Sequence, residues 1–345
     1  MSDTRNKLGN RAVGSGRLIR VPAWVIFIGC WWLSVTCAAA NPAVAGVEDD
    51  GRPFQINWRS WYSRGDHGWQ VNTFDFDPTF GFADERTRVT WEDEDIWVHQ
   101  IQGSYVILPW LRFHGAYGFG DIRDGDQTET NWISDAEVRD FMLARSVAAT
   151  RGDVTLYQLG AALRLDELMR WPDWVGEWEW GLGYRYHEET LNAREGVLVV
   201  DLEEFVEIPF DGLDSEYSFQ WQAFHAGLQG RVGIWPRVVV VLRVDGLFAM
   251  DYRGSGVDSL RLDARERAPN LQHSARNGVG LEGYVGVELQ LTSALYVEAG
   301  YHHFRIRARN GSSRIRLADG ETERADLDWV ESRRTGFYLG IGGRF

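Results

Sequence analysis

The chain has 345 residues, with 36 Lys and Arg against 50 Asp and Glu and a formal net charge of −14. A balance this acidic excludes a nucleic-acid binder, which needs basic patches to meet phosphates. No run beyond Cys37 approaches the roughly 18 continuous apolar residues of a spanning helix, so a helical membrane protein is excluded too.

The first 45 residues read as an export signal. Arg5, Lys7, Arg11, Arg17 and Arg20 form a basic start, and Val21 to Cys37 is an apolar run holding Trp24, Phe27, Trp31 and Trp32. Ala38-Ala39-Ala40 and Ala43-Val44-Ala45 then supply small-residue cleavage sites. This order is that of a secretory signal peptide, expected to be cut after Ala40 or Ala45. The alternative, a retained inner-membrane anchor, needs a longer apolar run of about 20 residues. Residues 46–345 then form one domain. Both cysteines and the only lysine, Lys7, fall in the signal. The remaining domain has no thiol chemistry, and every fixed cation in it is an arginine.

From there the pattern is alternation. Phe54, Ile56 and Trp58 alternate with polar residues, and a second run passes through Phe74 and Phe76. Arg86 to Leu108 is a long unit ending before Pro109. In the next, Leu111, Phe113, Tyr117 and Phe119 lie opposite Arg112, His114 and Ala116. Gly120 to Asp153 reads as a long acidic loop. Beyond Val154 to Leu165 and a turn at Pro172, Trp178, Trp180, Leu182, Tyr184 and Tyr186 face one way. Glu177, Glu179, Arg185 and His187 face the other. Arg194 to Asp214 reads as a second acidic loop. Tyr217, Phe219 and Trp221 then stand opposite Ser218, Gln220 and Gln222. After a turn at Trp235-Pro236, Val240, Leu242, Val244, Phe248 and Met250 form a row opposite Arg243 and Asp245. Asp251 to Arg276 is a third polar loop. Val279 to Leu291 and Ala294 to Arg309 are joined at Thr292-Ser293, and Arg314 to Asp328 is a fourth loop. In the closing strand, Phe337, Leu339, Ile341 and Phe345 alternate with Tyr338, Gly340, Gly342 and Arg344.

A period of two means strands with two different faces. Large apolar rows opposite charged rows recur along the chain, aromatics make up 13% of it, and short turns alternate with long polar loops. Together these predict an all-β fold: a transmembrane, up-and-down antiparallel barrel of about ten strands. Such a barrel sits in a bacterial outer membrane, in contact with lipid and lipopolysaccharide. Phe345 is the expected assembly signal for the barrel-insertion machinery. The first and last strands should pair and remove the free edge. Arg112, His114, Glu177, Glu179, Arg185, His187, Arg243 and Asp245 are expected to fill the lumen as paired charges, since buried charges are costly alone.

Several landmarks in order resemble one family. They are Val89-Thr90-Trp91, Gly115-Ala116-Tyr117-Gly118, Asn131-Trp132, Gly183-Tyr184 and Tyr296-Val297-Glu298-Ala299-Gly300. Spread over most of the chain from Thr87 onwards, they resemble the omptins, the outer-membrane proteases of Gram-negative bacteria. The resemblance implies a ten-stranded barrel with an extracellular groove where carboxylates and a histidine activate water. It places Glu129 and Asn131, anchored on Trp132, at the first catalytic pair. Anchoring on Asp263 puts Ser259 and Arg261 at the second, with Asp258 one position away. A guanidinium cannot act as a general base, so the standard omptin chemistry is not expected. The implied lipid A clamp departs as well, reading Tyr184-x-Tyr186-x-Glu188. Arg305, Arg307 and Arg309 are the candidates to bind lipopolysaccharide phosphates in its place, or else simply balance the acidic loops. Glu203, Glu204, Glu207, Asp211 and Asp214 match no metal-ligand spacing, so no metal is expected, nor any cofactor beyond a lipopolysaccharide requirement. The expected function is a surface binding, adhesion or structural barrel, with a peptide or protein as extracellular ligand. The alternatives are an endopeptidase with a rearranged acidic site around Glu129, and a small-solute channel.

Overall fold

A computed structural model describes residues 53–73, 84–135, 138–172, 175–202, 204–257, 269–316 and 322–345. Its strands are β1 (Phe54–Thr73), β2 (Asp84–Leu108), β3 (Leu111–Asp135), β4 (Val138–Arg164), β5 (Glu177–Leu202), β6 (Glu204–Trp235), β7 (Val238–Val257), β8 (Leu271–Gln290), β9 (Leu295–Arg316) and β10 (Thr322–Arg344). One short helix, α1 (Leu165–Met169), lies between β4 and β5. Each strand pairs antiparallel with its neighbours in sequence, and β1 pairs with β10 to close the ring. The seam runs from Gln55 opposite Arg344 to Asn72 opposite Asp326. Phe54 and Phe345 exchange backbone hydrogen bonds at its foot. The signal region and the run through Phe74 and Phe76 lie outside the described residues.

The tight connections, at Pro109-Trp110, α1, Pro236-Arg237 and Leu291–Ala294, share one end of the barrel with Phe54 and Phe345. At the opposite end the strands run far past what a membrane needs. Crossing takes about 9–11 residues, whereas β6 has 32 and β4 has 27. The four stretches expected as long polar loops are therefore mostly hairpin. Gly120 to Asp153 continues β3 and β4, and Arg194 to Asp214 continues β5 and β6. β7 runs to Val257 and β9 to Arg316. Frequent acids and glycines there suggest loop, but the acids alternate with inward residues such as Ile122 and Gln127.

β6 shows how one strand serves two environments. Its inward row reads Tyr217, Phe219, Trp221 and Ala223, all buried, and then His225 and Arg231, also buried. Its outward row reads Ser218, Gln220 and Gln222, and then the exposed Phe224 and Leu228. The aromatic trio thus packs inside, and the apolar face moves to the outside two residues further on. The same inversion runs through β9. Leu295 faces outward near the turns and Arg305 and Arg309 face outward beyond, while inward Glu298 and His302 give way to Phe304, Ile306 and Ala308.

Outside the turn half lies an apolar belt that includes Trp58, Ile101, Phe113, Leu159, Trp180, Leu182, Leu281, Phe337 and Leu339. Phe337 and Leu339 are each 68% exposed to the surroundings, as a lipid-facing row requires. Inside the belt are ion pairs: Arg59–Glu298 at 2.8 Å, Arg112–Glu179 at 2.8 Å, Arg243–Asp245 at 2.6 Å and Arg231–Glu177 at 3.0 Å. The expected charged lumen is therefore present in this half. Beyond the belt, Trp69, Val89, Trp91, Phe219, Trp221, Tyr252, Ile306 and Leu327 form an apolar core. Met250 belongs to that core and not to the row of Val244 and Phe248. Ala249, with φ 48°, is an extra residue that shifts the register between Leu247 and Met250 and turns Met250 inward.

Candidate functional site

Arg334 stands at the junction of the two halves, just beyond the level of Phe337, Trp97 and Tyr186 on the outer face. The pleat of β10 sends the neighbouring Arg333 and Arg334 to opposite faces. Arg333 points outward and is exposed, whereas Arg334 is only 1% exposed inside the barrel. Arg334 Nη2 donates to Glu94 Oε2 at 2.9 Å and Nε donates to Glu189 Oε1 at 2.9 Å. Nη2 also contacts Glu189 Oε2, and His187 Nε2 meets Glu189 Oε1. Gly65 makes the room: a Cβ there would lie 2.4 Å from the Arg333 carbonyl oxygen and 2.6 Å from Arg334 Cγ.

This knot holds two acids against one arginine. Burial pushes the Glu94 carboxyl up to about 8, with Arg334 pulling the other way and Glu189 adding to the rise. Burial also opposes ionisation of Glu189, but Arg334 and His187 outweigh it and hold that carboxyl well below the usual range. Glu189 is therefore the carboxylate of the pair, and Glu94 is the acid that keeps its proton at neutral pH. Nothing in the sequence singles these residues out except their charge on an inward row.

Of the catalytic candidates, Glu129 and Asn131 are brought together on β3. Glu129 pairs in register with the fully buried Val89, so both residues face the interior of the outer half. Asn131 Nδ2 donates to Glu129 Oε1 at 3.4 Å. Asp258 and Arg261 lie outside the described residues. Trp132 faces outward, beneath the guanidinium of Arg88 at 5.1 Å.

Arg305, Arg307 and Arg309 stand in one outward column on β9, with Arg333 of β10 opposite Arg305 in register. Glu331 binds Arg305 Nε at 2.7 Å and lies 3.7 Å from Arg307 Nε. On the other side of the column, Leu281 and Val279 of β8 are exposed apolar neighbours of Arg305 and Arg307. A cationic column thus borders the apolar belt at the edge away from the tight turns. Within the turn half, a polar cavity of about 130 Å³ lies among Asn57, Arg112, His114, Gln158, Arg231 and Asp245. Among the described residues, no group of three or more His, Cys, Asp or Glu is placed to hold a metal ion.

A closed ring with apolar side chains outside and paired charges inside defines a bacterial outer-membrane β-barrel. Residues 60–331 match the family model described as Protochlamydia outer membrane protein, and the chain belongs to that family. Among solved structures it is similar to the outer membrane protease OmpT from Escherichia coli. That match has a TM-score of 0.63 and 12% identity, over 84% of this chain and 97% of that one. The toluene transporter TbuX from Ralstonia pickettii aligns at a TM-score of 0.34 and 10% identity, over 90% of this chain and 93% of that one. OprG from Pseudomonas aeruginosa aligns at 0.27 and 10%, over 85% and 97%; these two are too distant to carry an argument. No curated protein sequence matches the chain. The likeness to the omptins is therefore one of fold.

Proposed function

We propose that this barrel is a closed surface protein that binds or scaffolds through its extracellular half, without omptin chemistry and without an open channel. One observation carries the reading. Side chains of nearly every strand converge in the outer half to fill the lumen, with Trp91, Phe219, Trp221 and Tyr252 at the centre. Water-filled transport needs a wider ring, of about 16 strands. An amide at Asn131 in place of a carboxylate is the further argument against inherited peptidase activity. The barrel reconstituted in planar bilayers is expected to give no steady conductance, and a stable open channel would overturn the reading.

The peptidase alternative rests on Glu129, which faces the same interior as Asn131. Turnover of basic peptides in lipopolysaccharide-containing detergent, abolished by Glu129→Ala, would establish it. Lipid binding is proposed for Arg305, Arg307 and Arg309, where guanidinium groups meet phosphates bidentately beside apolar positions suited to acyl chains. Replacing Arg305 and Arg307 by Ala is expected to reduce lipopolysaccharide carried through purification.

A further inference from the structure

Two histidines sit in the outer core where a charge has no place. His67 of β1 is 2% exposed and His273 of β8 is 5% exposed, and neither ring has a hydrogen-bond partner on either nitrogen. His67 lies against Phe219 at 3.9 Å between ring centroids, with Trp91 at 5.7 Å and Trp221 at 6.5 Å. The charged and titratable groups around it are Glu189 and His187 of β5 and Arg334 of β10, with Glu94 of β2 bound to that same arginine. His273 meets the edge of Trp69 of β1 at 4.5 Å. It is paired in register with Ser313 of β9 and Gly254 of β7. The buried Tyr252 hydroxyl on β7 is its titratable neighbour, next to Gly254.

We propose that the extracellular half of the barrel is an acid-operated switch, in which protonation of His67 and His273 loosens the aromatic core while the membrane half stays closed. An imidazolium among unpartnered aromatic rings is a buried charge without compensation. The outer half relieves it by opening to water. The histidines of the membrane half are placed differently. His225 Nδ1 lies 3.3 Å from Asp245 Oδ1, His302 Nε2 lies 2.9 Å from Glu282 Oε1, and His114 lines the polar cavity. Each thus has a polar or charged surrounding where His67 and His273 have aromatic rings. Burial holds both histidines neutral, down to about pH 3 in each case. For His67, Glu189 works against that shift and does not cancel it. The depressed values fix the direction. Stability from these groups is complete above the ordinary histidine range near 6.5 and is lost as pH falls towards 3.

The test uses the full-length barrel, refolded in neutral detergent. Acrylamide quenching of tryptophan and near-ultraviolet circular dichroism report the aromatic core between pH 7.5 and 4. Mobility on unheated gels reports the membrane half. The open-to-closed ratio should rise by about tenfold per pH unit per histidine below about pH 6.5, with folded mobility retained throughout. The double variant His67→Phe, His273→Phe should move the midpoint down by at least about one pH unit. If that variant does not fold, each single variant should halve the steepness of the wild-type transition. A wild-type core unchanged down to pH 4 would overturn the switch. So would variants that follow the wild-type curve, or loss of folded mobility at the same pH as the core signal.

Discussion

The two halves of the barrel share their strands and hydrogen-bond ladders, and they obey opposite rules of side-chain placement. Next to the turns, Phe337 and Leu339 face out while Arg59, Glu298, Arg112 and Glu179 face in. Further along the same strands, Arg305 and Arg333 face out while Phe304, Ile306 and Leu327 face in. The solvent decides. Lipid accepts the apolar row and forces charge into the lumen, whereas water accepts the charge and leaves the apolar row to form a core. The backbone is indifferent to this exchange, because alternation satisfies both arrangements. The outer half therefore behaves as a soluble domain built directly onto a membrane anchor.

The strongest way to break that contrast is at the junction. Arg334→Leu removes the cation from Glu189 and Glu94 while leaving both acids buried. Stripping one partner from a buried ion pair costs about 3–5 kcal/mol. The loss should fall on the outer half. Tryptophan-detected urea unfolding should shift by that amount, with the belt and seam still closed on unheated gels. A variant as stable as wild type would mean that the knot is solvated and the outer core is not dry.

Moving a charge along one outward row sharpens the contrast at a smaller cost. Leu228 and Gln220 both face outward on β6, eight residues apart. Leu228→Arg places a guanidinium in the belt, where a lipid-facing arginine costs up to about 2–4 kcal/mol near mid-membrane. Gln220→Arg places it in water beside Glu188, which Gln220 Nε2 reaches at 2.8 Å. There a surface change should stay within about 0.5 kcal/mol. Equal effects in reconstituted bilayers would show that the membrane boundary does not lie between these positions.

Much of the fold is legible in the sequence because alternation, short proline turns and an aromatic closing strand are local signals. The ten strands, their antiparallel order and the β1–β10 seam follow from them. Which face of a strand is inside does not. Tyr217-x-Phe219-x-Trp221 and Trp178-x-Trp180-x-Leu182 have the same period and similar bulk, yet the first is core and the second meets lipid. The distinguishing cue is weak: opposite the first stand Ser218, Gln220 and Gln222, suited to water, and opposite the second stand Glu177, Glu179 and Gly181, suited to a crowded paired lumen. Met250 eluded the pattern because a bulge at Ala249 changes the count. The candidate sites are less legible still. Glu129 and Asn131 stand side by side because they are two residues apart on β3, whereas Arg334, Glu94 and Glu189 come from strands far apart in sequence, and only closure of the ring brings them together.

Glu94 provides the smallest and most specific test, because its effect has a pH signature that packing alone cannot imitate. With its carboxyl raised to about 8 by burial, the folded state holds a proton that the unfolded chain releases near 4.5. Stability from this group is complete below the unfolded value and is lost as pH rises through the folded one. Glu94→Gln keeps the oxygen that accepts from Arg334 and removes the titration. The variant should match wild type near pH 4.5 and then gain on it by up to about 1.4 kcal/mol per pH unit, levelling off above pH 8. The histidines of the outer core act in the opposite direction and at lower pH. The difference between the two proteins cancels their contribution, because His67 and His273 are present in both. A difference that stays constant from pH 4.5 to 9 would mean that Glu94 is ionised in the folded barrel. The knot would then hold two carboxylates against one arginine in contact with water, and the dry boundary between the halves would have to lie further out.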